Sequence, residues 1–179
     1  PGGTAPNAWG TVYAIHFLLE AEKKGYLVPE GMKRNALNDL SRIARNWKPE
    51  ASYSAESEEM TQAYRLFVLA LGQVAEVGAM NRLKESKTLM SMSRYLLAAG
   101  YALVGRPDVS KELVVKTTAL TTACSGYDQT FGSDLRDASI RLMTLCLLDG
   151  GKEAALLANE ISKTLASDDW LSTQSTAFS

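Results

Sequence analysis

Two kinds of hydrophobic pattern alternate along the chain. In the first, apolar residues cover every face of a helical wheel, and a helix of that kind is buried all round. The clearest case lies in Thr61 to Glu85, where Leu66, Phe67, Val68, Leu69, Ala70 and Leu71 run consecutively. The same pattern marks 8–24, 88–104 and 135–149, the last through Ile140, Leu142, Met143, Leu145, Cys146, Leu147 and Leu148. In the second kind only one stripe is apolar. Ala36, Leu40, Ile43, Ala44 and Trp47 form such a stripe over 30–47, with Lys33, Arg34, Asn38, Asp39, Arg42 and Arg45 opposite. Leu113, Thr117, Leu120 and Cys124 repeat it over 109–124, Ala154, Leu157, Ala158, Ile161 and Leu165 over 152–165, and a short helix at 76–85 stands in the same position of the alternation. These are outer, amphipathic helices.

Punctuation supports the boundaries. Asn7 is placed to cap the first helix and Gly25 to end it. Pro29 opens the second and Pro49 stops it. Ser54 caps the third, with Glu56, Glu58 and Glu59 where the helix dipole favours acids. Gly105-Arg106-Pro107 and Gly150-Gly151 break later helices, Ser133 or Asp134 starts another, and Ser167-Asp168-Asp169 is expected to cap one more. Tyr127 and Phe131 are expected to anchor the loop 125–132. No segment alternates with the two-residue period of a half-buried strand. Inner helices that touch neighbours on both sides, each paired with an outer helix, predict an all-α fold. It is expected to be a partial α/α toroid of alternating inner and outer helices arranged as helical hairpins. The repeat lengths vary, and the tetratricopeptide signature is absent.

The length of 179 residues suits one domain. A hydrophobic share of 46% and a net charge of −1 give no electrostatic case for nucleic acid or an anionic membrane surface. The longest apolar run, Tyr95 to Val104, is too short to span a bilayer. The chain reads as a fragment, residues 1–179 being one α/α-toroid piece of a larger multidomain protein, and its truncated edges are expected to favour self-association of the isolated piece. Cys124 and Cys146 are expected to be buried thiols, although spacing alone leaves a disulfide open.

Chemistry is sparse. His16, the single histidine, sits among apolar neighbours and lacks a partner base or acid in sequence. One His and two distant Cys do not make a zinc site, and no nucleophile elbow, phosphate loop or dinucleotide fingerprint occurs. No cofactor is expected. The acid clusters of toroid enzymes such as terpenoid cyclases have no counterpart, and Glu20 and Glu22 do not share a helix face. Arg65 and Arg82 are expected to be ion-paired or to reach solvent along apolar stems. Arg136 and Asp137 are expected to close a loop after Gly132-Ser133. The candidate interface or structural residues are therefore His16, Tyr64, Arg65, Met80, Asn81, Arg82, Ser133, Arg136 and Asp137, with no catalytic or metal-binding residue among them.

Several stretches, in order, resemble bacterial alpha-2-macroglobulins: YAIHFLLEA from Tyr13 with Gly25-Tyr26 and Val28-Pro29; QAYRL from Gln62 with VLAL from Val68; AMNRL from Ala79 with Glu85; LAAGYA from Leu97; TFGS from Thr130 with Arg136-Asp137; and WLSTQ from Trp170 with Thr176-Ala177. The resemblance implies the later part of the thioester-domain region, an α/α toroid, in a periplasmic or envelope-anchored protease inhibitor. In that family, cleavage of a bait region exposes a Cys–Gln thioester in a C-x-E-Q motif, which acylates the attacking protease and traps it. This chain has no C-x-E-Q: Cys124 precedes Ser-Gly-Tyr-Asp and Cys146 precedes Leu-Leu-Asp-Gly. The family's motif lies upstream of the matching stretch, and no residue of 53–61 matches the histidine that assists transacylation in complement-type relatives. The resemblance thus implies a non-catalytic piece, no enzyme, whose partners are the other domains of its parent and, through the parent, target proteases. The alternatives are a toroid enzyme of the cyclase or glycosidase type and a helical-repeat protein-binding scaffold.

Overall fold

A computed structural model describes residues 7–49, 54–86, 89–117 and 130–179. Among these residues every regular element is a helix. They are α1 (Ala8–Lys23), α2 (Glu30–Asn46), α3 (Ala55–Leu71), α4 (Val77–Lys84), α5 (Ser91–Leu103), α6 (Pro107–Val115), α7 (Asp134–Leu147), α8 (Gly151–Leu165) and α9 (Thr173–Phe178).

Local chemistry sets the ends. The Asn7 side chain accepts from the Gly10 N–H at 2.7 Å and caps α1. At the other end Gly25 adopts φ 86°, which lets Tyr26 N donate to the Ala21 carbonyl at 3.0 Å and Gly25 N to Glu22 at 2.9 Å. That pair satisfies the last carbonyls of the helix. Pro107 stands at the first position of α6, where its missing N–H costs nothing. The Ser133 hydroxyl accepts from Arg136 N at 3.1 Å and caps α7, which decides between Ser133 and Asp134.

The helices stack as hairpins in two layers. One layer runs α1, α3, α5, α7, each packed on the next. The other holds α2 against α1 and α3, α4 against α2, α3 and α5, α6 against α5, and α8 against α7. This is the expected alternation of inner and outer helices, consistent with an arc of an α/α toroid. α3 is buried on all faces from Glu59 to Ala70, and α5 from Tyr95 to Tyr101. Each fully buried Leu or Phe contributes about 1.5–3 kcal/mol, so these two helices carry the core.

Several expectations fail for identifiable reasons. α1 and α7 are buried on one side only: Phe17 is 64% exposed and Leu147 41%. Each has an inner-layer neighbour on one flank, while α3 and α5 have one on both. α6 ends at Val115, so Leu120, Cys124 and Tyr127 lie outside the described residues. Cys146 is a free, exposed thiol, because it lies on the uncovered face of α7. Phe131 is exposed and takes φ 54°; the neighbouring Thr130 is the buried residue of that turn. The last helix is capped by Ser172, whose side chain accepts from Ser175 N at 3.1 Å, and not by Ser167-Asp168-Asp169. The Ser167 hydroxyl instead bonds the Thr164 carbonyl at the end of α8.

Candidate functional site

The residues singled out in sequence fall into separate joints between helices. In the first, α1 meets α3. His16 Nδ1 lies 2.8 Å from the Tyr64 hydroxyl. The imidazole edge meets Phe67, and Phe178 of α9 closes over both His16 and Tyr64. Burial pulls the His16 pKa from 6.5 down to about 4, against a smaller opposing pull from Glu20. The same burial pushes the Tyr64 phenol above its ordinary range. At neutral pH both groups are therefore uncharged. The pair is a neutral hydrogen bond inside an aromatic cluster, which also receives Trp9, its ring centroid 4.6 Å from that of Tyr64.

In the second joint, Arg136 is fully buried at the start of α7. Its guanidinium donates to the Thr130 carbonyl at 2.8 Å, to the Thr130 hydroxyl at 2.9 Å and to Asp137 Oδ1 at 2.7 and 2.9 Å. It also lies 5.3 Å from the centre of the Trp9 ring and 3.8 Å from Met60 Sδ. The Ser133 hydroxyl bonds Ser175 Oγ at 2.6 Å. The Gln174 amide, oriented to satisfy both neighbours, accepts from the Trp9 indole and donates to the Phe131 carbonyl. The TFGS–RD stretch and the WLSTQ stretch, some forty residues apart, thus form one knot that ties α1, α3, α7 and α9 together. Arg136 and Asp137, expected to close a loop, bond each other, and Arg136 reaches the Thr130 turn, Trp9 and Met60 as well.

The third joint belongs to α4. Met80 is fully buried. Asn81 Oδ1 accepts from the Tyr101 hydroxyl at 2.6 Å, and Arg82 Nη2 donates to the Arg45 carbonyl at 2.8 Å near the end of α2. Burial raises the Tyr101 pKa to about 12, so the phenol stays a donor. Arg82 is exposed and bonded to backbone. Arg65, expected to be ion-paired or to reach solvent, is buried and among the described residues does neither: its guanidinium donates to Gln62, which itself donates to the Ala44 carbonyl at 3.0 Å.

Sequence reasoning missed Trp9, Met60, Gln62, Thr130 and Ser175. Trp9 lies three residues before Val12 on one helical stripe, which was the available signal. Thr130 opened the TFGS stretch but had no role read for it, and Ser175 carried no signal, since the burial of both depends on contacts distant in sequence. Among the described residues no group of three or more His, Cys, Asp or Glu stands where a metal ion would be held, and no helix is long and apolar enough to cross a membrane.

No family model matches the chain. A curated relative does: alpha-2-macroglobulin of Escherichia coli strain K12, 29% identical over 178 residues, covering 93% of this chain. The chain is homologous to a segment of that protein. It spans 11% of the relative's length. Two solved structures share the fold. The native conformation of E. coli alpha-2-macroglobulin superposes with a TM-score of 0.81 at 23% identity, over 98% of this chain and 12% of the other. An E. coli alpha-2-macroglobulin structure running from domain MG7 to the C-terminus gives 0.78 at 24% identity, over 97% and 29% respectively. The resemblance read from the motif stretches and the fold expected from the periodicity thus meet in the same protein.

Proposed function

We propose that this chain is the later part of the thioester-domain region of a bacterial alpha-2-macroglobulin-like protease inhibitor, and that it acts there as scaffold and interface without a catalytic residue of its own. The observation that carries this reading is the relationship to E. coli alpha-2-macroglobulin along 93% of the chain. The use made of the motif residues supports it. His16, Tyr64, Met80, Asn81, Arg82, Ser133 and Arg136 are engaged in joining helices, and Asp137 pairs with the Arg136 guanidinium. A rigid arc of this kind suits a protein whose activity is a large conformational change, because it moves as a body and presents its edges to other domains.

In this reading residues 1–179 are one piece of a longer parent in the periplasm or anchored to the envelope. The parent supplies the bait region and the thioester, and this piece contacts other domains of the same chain and meets proteases only through them. The test uses the parent. Methylamine opens a thioester and frees its cysteine, so stoichiometric thiol release on treatment, with a C-x-E-Q upstream, is the expected result. A parent with no such motif and no thiol release would sink the covalent trap and leave a conformational or structural role.

A further inference from the structure

Arg65 differs from every other residue singled out in sequence. It lies in the middle of α3 with 5% of its surface exposed. Its guanidinium donates from Nη1 to the Gln62 side chain, and Nε has no partner. No carboxylate among the described residues is paired with it. Burial pulls its pKa down to about 10. It therefore remains a cation at neutral pH, and a buried cation without a counter-charge is costly. Arg136 shows how the same chain treats such a group elsewhere, with Asp137 at 2.7 Å.

A cavity of about 230 Å³ opens beside Arg65, between the start of α1, the end of α2 and the first turns of α3. Trp9 lines it from α1, Trp47 from just past the end of α2, and Ser57, Glu58 and Thr61 from α3. The Thr61 hydroxyl is committed to the Ser57 carbonyl at 2.7 Å. The volume holds several waters or one small organic acid. We propose that Arg65, Trp9 and Trp47 form a binding site for a single carboxylate group, seated on the guanidinium and flanked by the indoles. The planar guanidinium fork matches a carboxylate in geometry, and the apolar indole atoms that line the cavity cover the group next to it. Glu58 on the lining selects against a second negative charge, which favours a monocarboxylate over phosphate or a dicarboxylate. The carboxylate is carried either by a free small acid or by an aspartate or glutamate side chain of a polypeptide. The site stands independently of the thioester reading.

Tryptophan emission of the 179-residue chain reads the site, since Trp9 and Trp47 line it while Trp170 is 87% exposed and serves as background. Acetate at constant ionic strength is expected to give a saturable change that acetamide, its neutral counterpart, does not. Arg65→Met is expected to weaken acetate by about tenfold or more, as for loss of a charge-assisted hydrogen bond, with circular dichroism checking the fold. Glu58→Gln is expected to tighten it. A capped Ala-Glu-Ala peptide, whose one carboxylate is a side chain, separates the sources: tighter binding than acetate assigns the site to a polypeptide acid, weaker binding to a small acid. Identical responses to acetate and acetamide, or a folded Arg65→Met that binds acetate undiminished, would overturn the proposal.

Discussion

α3 and α1 read alike in sequence, each apolar round most of its circumference, yet they end in different surroundings. α3 is closed in by α1, α2, α4 and α5, and its buried stretch takes in polar residues such as Gln62 and Glu59. α1 buries Trp9, Val12, Ile15 and Leu19 and leaves Phe17 in solvent. α5 and α7 repeat the contrast. The apolar content of a helix reports how many neighbours its sequence is built for, and the structure reports how many it has. In α3 and α5 the two agree. In α1 and α7 the sequence asks for one more, which on the proposal above another part of the parent provides.

The strongest way to break this comparison is to delete a large apolar side chain from both kinds of helix. Leu66→Ala in α3 and Leu97→Ala in α5 remove fully buried groups and are expected to cost about 2–5 kcal/mol each. Phe17→Ala in α1 removes a larger but exposed ring and is expected to cost less than about 1 kcal/mol. Urea unfolding of the three variants measures this directly. A Phe17 variant as damaging as Leu97→Ala would mean that α1 is enclosed in solution.

The His16–Tyr64 joint tests a polar seam between α1 and α3. The His16 pKa falls from 6.5 in the unfolded chain to about 4 when folded. For a group whose folded pKa is depressed, the stabilisation is present above pH 6.5 and is lost as pH drops towards 4. The size is about 3 kcal/mol at most. Glu59, buried in α3, has a raised carboxyl pKa and contributes with opposite sign, so the wild-type curve mixes the two. The difference between wild type and His16→Gln isolates the histidine. Parallel stability curves for the two proteins from pH 7 to 4 would refute the assignment.

Periodicity made the helices, their layers and most of their caps legible. Asn7, Gly25 and Ser133 act through neighbours a few residues away, so their roles are local and readable. The knot around Arg136 is different. The pairing of Arg136 with Asp137 is adjacent in sequence and was legible; the contacts with Trp9, Met60 and, through Ser133, Ser175 span 42 to 127 residues, and no spacing rule reaches that far. Asp168 and Asp169 misled because acidic residues before a helix are good caps in general, whereas the chain continues past them to Ser172 before it turns into α9. Arg65 misled because a long charged side chain in a helix usually reaches solvent, and here α1 and α2 flank the helix at that level.

Exposure at the flanks sharpens the comparison from another side. Phe17, Tyr26, Leu27 and Met32 are exposed around α1 and the start of α2, and Leu147, Leu156 and Trp170 around α7 and α8. Apolar groups gathered in this way favour contact with another surface. The isolated chain is expected to self-associate as its concentration rises, and replacing Phe17, Tyr26 and Leu27 together by Ser should shift it towards monomer without lowering its unfolding midpoint. Light scattering coupled to size-exclusion chromatography reads the mass. A monomer throughout would show that these side chains are tolerated in water.

The smallest effect concerns two glycines, one in each kind of surrounding. Gly100 lies in α5, where a Cβ would stand 3.2 Å from Met80 Cε and 3.6 Å from Phe67 Cα. Met80 is fully buried, so its methyl group has little free space to retreat into. The overpacking cost, about 1–3 kcal/mol, then exceeds the gain of about 0.5–1 kcal/mol from removing a helical glycine. Gly31 lies in the first turn of α2, where a Cβ meets nothing within 4 Å. There only the gain remains, reduced because the position is near the helix end. Gly100→Ala is thus expected to lower the unfolding free energy by about 1 kcal/mol and Gly31→Ala to raise it by a few tenths. If both substitutions stabilise, Met80 has room to move, and the packing between α4 and α5 is looser than its burial implies.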